Sequence, residues 1–368
     1  ALPPARRRVE MTAKPIGVGV VGCGKIAQMM HLPTLQELPE FTIAAICDIS
    51  EKVLGEVGDM YGVDRRHTEF QALIDDPAVE AVLICNFDHG KVVEACLKSG
   101  KHMLVEKPLA FTPSEGKPLV EAAAKSDAVN LIGYMKHYDE GYIEGCEQIR
   151  AAGKPKSIQV HDFAGVFNPY DDLYTLSRGS DVAPELLSQE PADAAARIEA
   201  ELGPDHAAYR DLYQMLLMLG SHDLAALRGA FGAPEKVLYA RAPNMSHIMA
   251  VLGFADDVTA VLEVSFGAQY EWWDEWMEVH GDTNIVRIDF NHPYVRNAPA
   301  TVRVRMPADG KGADTVITPL PEDAFRREWQ HFARCIRDKE APVTPIAGGL
   351  SDLELALAII KALPPLKS

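Results

Sequence analysis

Pro15-Ile16-Gly17-Val18-Gly19-Val20-Val21-Gly22-Cys23-Gly24-Lys25-Ile26-Ala27 is the stretch whose reading decides the fold. Ile16 to Val21 is a short apolar run rich in β-branched residues, which predicts a buried strand. The chain then turns through Gly22-Cys23-Gly24 and enters a helix carrying Ile26, Ala27, Met29 and Met30. The pattern is G-x-G-x-x-A. Gly22 permits the tight turn, Gly24 lets a pyrophosphate approach the backbone, and Ala27 lets helix and strand sit close. With Lys25 and Ile26, the turn offers free N–H groups and a positive dipole end to phosphates.

A lone G-x-G is often an ordinary turn, so its surroundings matter. A second apolar run, Phe41 to Cys47, ends at Asp48, 21 residues after Ala27. That spacing suits an acid accepting hydrogen bonds from an adenosine ribose. Asp48 repels a 2′-phosphate, and no Arg stands in Ile49-Ser50-Glu51-Lys52. The expected cofactor is therefore NAD in preference to NADP. Further strands are predicted at 68–70, Ala81–Cys85, Lys101–Val105 and Ala128–Tyr134, with helices between them. This alternation predicts an α/β, doubly wound parallel Rossmann sheet over residues 14–134. Asn86 to His89 and Glu106-Lys107-Pro108 then fall at strand ends, on the ligand-binding edge of such a sheet.

After Tyr134 the pattern changes. Strand-like runs at 157–165, 237–241, 245–254, 258–266, 276–280, 285–290 and 301–306 predict an α+β domain over 135–368 with a large, mostly antiparallel open sheet. Helices are expected at 142–151, 191–202, 212–231, 321–337 and 349–363. The rest of 167–210 reads as a long loop, either a functional lid or an unstructured segment.

The chain has 368 residues, 47% of them hydrophobic, and a net charge of −17. Such an acidic chain is not expected to bind nucleic acid or an anionic membrane, although a phosphate-bearing cofactor can still be held locally. No apolar run approaches the ~18 residues of a membrane span. The six cysteines form no C-x-x-C pair. They read as reduced core residues of a cytoplasmic protein, with no metal site. Residues 1–14 read as a loose arm.

With these pieces placed, the chain resembles the glucose–fructose oxidoreductase/inositol dehydrogenase (Gfo/Idh/MocA) family. The likeness is carried by Gly22 to Ala27, Ala95 to Ala110, Gly133 to Asp139 and Gly220-Ser221-His222-Asp223, with Phe325 to Asp352 fitting as well. It implies an NAD(P)-dependent oxidoreductase acting on a sugar, inositol or related polyol. It also implies that Lys107 lies beside the nicotinamide and the reacting oxygen, and that His222 acts as acid/base. Two positions depart from the family pattern. Met218 stands where an Asp is usual, one turn before His222, and Cys85 stands where a Pro usually precedes Asn86.

Oxidising an alcohol needs a group that takes a proton near neutral pH, and both Lys107 and His222 have suitable chemistry. Alone, each has a plainer reading, as a solvated surface Lys and a helix His. Asp223 reads as structural, or as a replacement for the missing Asp. Lys136 and Tyr138, and at lower weight His161 and Asn168, are candidate substrate residues; Lys136, Tyr138 and Asp139 read equally well as a solvated hinge. Trp272, Trp273 and Trp276 read as sheet-face packing or a subunit interface, which predicts a homodimer or homotetramer. Two other functions stay open: an NAD-dependent glycosidase using transient sugar oxidation, and a dinucleotide-binding sensor without turnover.

Overall fold

The strand read first, β1 (Ile16–Val21), is fully buried and lies at the middle of a six-stranded sheet. In the computed structural model, which describes residues 14–165, 173–266 and 273–366, β2 (Phe41–Cys47) and β4 (Ala81–Ile84) flank it in parallel. β3 (Arg66–His67), β5 (His102–Glu106) and β6 (Asn130–Gly133) complete the order β3-β2-β1-β4-β5-β6. Every pairing is parallel. The order reverses between β1 and β4, which opens a crevice at their carboxyl ends.

Local signals set the helix boundaries. Ser50 caps the helix Glu51–Tyr61 by accepting from the Val53 N–H at 3.0 Å, and Gly62 ends it at φ 67°. Thr112 and Glu115 form a reciprocal capping box on Pro113–Ala123.

The second sheet has eight strands: β7 (Ser157–Ala164), β8 (Lys236–Asn244), β9 (His247–Gly253), β10 (Thr259–Phe266), β11 (Asp274–His280), β12 (Ile285–Phe290), β13 (Thr301–Ala308) and β14 (Lys311–Ile317). Their order is β14-β13-β12-β11-β7-β10-β9-β8. Only the β7–β10 pair is parallel. The edge strand β14 was not foreseen, because Lys311-Gly312-Ala313-Asp314 has no apolar run. Its signal is the turn: Asp309 and Gly310 both have positive φ, as a two-residue hairpin demands.

Three helices differ from expectation. The predicted helix at 212–231 is interrupted by a π-helical turn at Leu216–Gly220, so Ser221–Phe231 forms a separate segment. The helix expected from 191 starts at Pro184 and carries Pro191 within it. Ala324–Asp338 returns to the first sheet, where Trp329 and Phe332 pack with Val18, Val20, Ile46 and Leu83. The cores thus do not divide cleanly at residue 134. Truncating Trp329, which has no exposed surface, would cost roughly 3–5 kcal/mol.

Candidate active site

The Gly-rich turn leaves space beside its main chain. Gly22 has φ 88°, and a Cβ there would lie 2.5 Å from the Asn86 nitrogen. Gly24 faces open space, with no atom within 4 Å of a would-be Cβ. Ala27 is fully buried. Asp48 fixes the turn: its Oδ2 accepts from Cys23 N–H at 2.8 Å and its Oδ1 from Ser50 N–H at 2.9 Å. Lys25 lies over the ring of Tyr294, 5.1 Å from its centroid.

A cavity of about 360 Å³ continues from this edge toward the second sheet. Ile26, Asn86, His89, Glu106 and Lys107 line its first wall. Asn86 Nδ2 donates to the Asp88 carbonyl, whereas its buried Oδ1 has no partner among the described residues. The buried ring of His89 donates from Nδ1 to the Pro108 carbonyl at 2.6 Å, which leaves Nε2 as acceptor. Burial lowers its pKa and keeps it neutral.

Glu106 is held by a relay that ends in Trp329. The indole N–H donates to His31 Nδ1 at 3.0 Å, so Nε2 of that ring carries the proton and donates to Glu106 Oε1 at 2.9 Å. Burial alone would raise the Glu106 pKa. His31, Lys107 and His89 outweigh it and hold the carboxyl below its usual range. Glu106 is thus an anchored anion directly before Lys107, whose N–H it also accepts.

The Lys107 side chain crosses the cavity and donates from Nζ to the Met218 carbonyl. That carbonyl belongs to the π-helical turn, a distortion frequent at functional sites. Burial lowers the Lys107 pKa and Lys136 adds repulsion, against the pull of Glu106 and Asp162. His222, one residue into the next helical segment, lines the same cavity. Its pKa is driven well down by burial, then by Lys107 and Lys136. The ring is neutral, and Nδ1 is buried without a partner among the described residues.

The far wall is a nest of buried charges. Asp162, Asp223 and Glu275 each expose 3% or less, and their oxygens lie within 4.8 Å of one another. The cation among them is Lys136, whose Nζ pairs with Glu275 and lies 3.5 Å from Asp223 Oδ1. Neither Asp162 oxygen has a hydrogen-bond partner among the described residues. Burial, then the Asp223 charge, lift the Asp162 pKa well above the carboxylate range, so this group carries its proton.

The structure brings Ile26, Asn86, His89, Glu106, Lys107, Lys136 and His222 to one cavity, and ties the turn at Gly22 to Gly24 to Asp48 through the Cys23 N–H. It does not bring Tyr138 or His161 there. Tyr138 is buried elsewhere, its hydroxyl 2.9 Å from Thr344 Oγ1. His161 lies on the outer face of the second sheet, stacked on Phe163 and Trp276. The reason is strand parity: Ile158, Val160 and Ala164 face inward, so Asp162 does too and His161 cannot. The signal for Asp162 was therefore present in the alternation. Asp139 caps the helix Glu140–Ala151, and Asn168 and Trp272 lie outside the described residues. The remaining tryptophans part company: Trp273 lines the cavity, whereas Trp276 faces outward under Arg287.

The GFO_IDH_MocA model, an oxidoreductase family with an NAD-binding Rossmann fold, matches residues 16–134. These residues belong to the Gfo/Idh/MocA family. Within that family's neighbourhood, myo-inositol 2-dehydrogenase of Thermotoga maritima is 30% identical over 147 residues, covering 39% of this chain and 44% of that enzyme. The oxidoreductase YrbE of Bacillus subtilis is 25% identical over 353 residues, 90% of this chain and 89% of its own. Among solved structures, levoglucosan dehydrogenase with NADH and levoglucosan superposes with a TM-score of 0.74 at 15% identity, covering 95% of this chain and 97% of that one. KijD10, a 3-ketoreductase from Actinomadura kijaniata solved with NADP, gives 0.72 at 18%, covering 95% and 98%. At these identities the structural likeness is one of fold, and it covers both sheets.

Proposed function

We propose that this protein is an oxidoreductase that transfers a hydride between a secondary alcohol of a sugar, inositol or related polyol and NAD(P). The observation that carries the reading is one cavity lined on one side by the dinucleotide edge with Lys107 and on the other by His222 and Asp162. Gly22 to Ala27, Asp48, Asn86, His89 and Glu106 are the residues that would hold the dinucleotide. When bound, its nicotinamide supplies the hydride acceptor or donor.

The chain's own residues manage the proton and the charge. Lys107, its pKa lowered, stabilises the oxygen that gains charge as hydride leaves carbon, and exchanges a proton with it. Neutral His222 takes or returns that proton. Asp162 offers its carboxyl hydrogen to a neighbouring substrate hydroxyl from a buried wall. Met218 contributes its main-chain carbonyl, which orients Lys107 in place of a carboxylate side chain. The outer sheet face, with Tyr239, Val261 and Trp276, is the proposed seat of a homodimer or homotetramer.

The test is a screen of free sugars, inositols and their keto forms with each dinucleotide. Net NAD(P)H formation or consumption with one of them is the expected result. Release of an aglycone without net reduction would transfer the chain to the glycosidase reading. No turnover despite dinucleotide binding would leave the sensor.

A further inference from the structure

A segment of the second domain crosses the dinucleotide edge of the first. Leu173–Asp181 runs from the first described residue after 172 to the start of the helix Glu51–Tyr61. Gln28, on the helical turn after the Gly-rich loop, exchanges two hydrogen bonds with Ser177: its Nε2 donates to the Ser177 carbonyl at 3.0 Å, and Ser177 N–H donates to its Oε1 at 2.8 Å. Ser177 Oγ donates to Glu56. Gly179 lies against Ser50, where a Cβ would come within 3.1 Å of the serine Cβ.

These anchors deliver Asp181 to one place. Its Oδ1 accepts from Ser50 Oγ at 2.5 Å and its Oδ2 from the Lys52 N–H at 3.0 Å. Lys52 Nζ in turn donates to Ser180 Oγ at 3.1 Å. The Lys52 N–H in the first turn of an 11-residue helix, the Ser50 hydroxyl and the Lys52 ammonium form an anion seat. In a doubly wound fold this seat, at the end of β2, adjoins the adenosine ribose and receives the 2′-phosphate of NADP-type ligands. Here a carboxylate of the chain itself occupies it.

We infer that Asp181 is a cofactor-specificity residue: seated on Ser50 and Lys52, it takes the place of a 2′-phosphate and selects dinucleotides with a free 2′-hydroxyl. The inference rests on the dinucleotide reading of the site. Asp48, with both oxygens already engaged by main-chain N–H groups, supplies a second negative charge beside the same position. A phosphate of nearly two charges entering there must displace one carboxylate and approach another. The hydrogen bonds from Ser50 and Lys52 hold the Asp181 pKa below the usual range, so it stays charged at neutral pH.

The experiment is titration of the full chain with NADH and with NADPH, read by nicotinamide fluorescence. It uses the native protein, Asp181→Asn and Asp181→Glu. The native protein is expected to bind NADH at least about tenfold more tightly than NADPH. Asp181→Asn should narrow that ratio by about tenfold, chiefly by tightening NADPH, while Asp181→Glu keeps it. Rising salt should also narrow the native ratio, because exposed charges are screened; this arm needs no variant to fold. A native preference for NADPH, or an unchanged ratio in Asp181→Asn, overturns the assignment to Asp181 alone. Failure of the native protein to bind either ligand overturns the dinucleotide reading and this inference with it.

Discussion

The two walls of the cavity are built by different means. The dinucleotide wall is mostly main chain, a turn and strand ends whose residues lie close together in sequence. The opposite wall is mostly side chains, with Lys136, Asp162, Asp223 and Glu275 arriving from four separate segments to form a buried charged nest. The first wall binds through local geometry, which a short motif specifies. The second works through desolvation, which exists only when distant segments pack. Perturbation should therefore act differently on the two walls: through charge balance on one, through backbone space on the other.

The largest effect is expected from Lys136→Met. It leaves the buried carboxylates of Asp223 and Glu275 without their cation and should cost about 3–5 kcal/mol of stability in denaturant titration. Adding Glu275→Gln should recover part of that loss, since the cost is an uncompensated charge. A loss no larger than that of an ordinary surface substitution would show that the nest is hydrated.

Next comes Lys107→Met, which keeps length and removes charge. On the substrate found by screening, kcat should fall by on the order of a hundredfold, about 2.7 kcal/mol of transition-state stabilisation. NADH affinity should change little, because the turn and Asp48 are untouched. His222→Asn should also lower kcat, and the double variant should be less than additive if both groups share one proton path. Full turnover in Lys107→Met would remove this residue from the mechanism.

Gly22→Ala probes the main-chain wall. At φ 88°, with the Asn86 nitrogen 2.5 Å from the new Cβ, it should cost roughly 1–3 kcal/mol and weaken NADH binding. An unchanged melting temperature and affinity would mean that the turn relaxes freely.

The smallest effect belongs to Glu328, which has no exposed surface and, among the described residues, no partner for either carboxyl oxygen. Burial holds its pKa well above the ordinary 4.5, with Glu106 and Asp323 adding to the rise. Above pH 4.5 the unfolded chain ionises this group while the folded chain does not, so stability falls as pH rises. Glu328→Gln should therefore gain at least about 1.4 kcal/mol at pH 8 relative to the native chain, the equivalent of one pKa unit. The gain should vanish near pH 4. Equal melting temperatures at both pH values would refute a neutral buried acid.

The sequence by itself determined the parallel first sheet, its Gly-rich turn, the acid at the end of β2 and the lysine at the end of β5. Each is written within a few residues, in apolar runs, glycines and caps whose physics is local. It also held, unread, the parity that sends Asp162 inward and His161 outward, and the Asp309-Gly310 turn that makes β14. Only the tertiary structure decided which carboxyls carry protons, because that depends on burial beside groups far away in sequence. It alone set the carbonyl of Met218 against Lys107, brought Trp329 to His31 and so fixed Glu106, and laid Asp181 across Ser50. Contacts between residues 129 or more positions apart, such as those from Ser50 and Lys52 to Asp181, leave no periodicity in a chain. They arise from how the two sheets and the segment between them are packed.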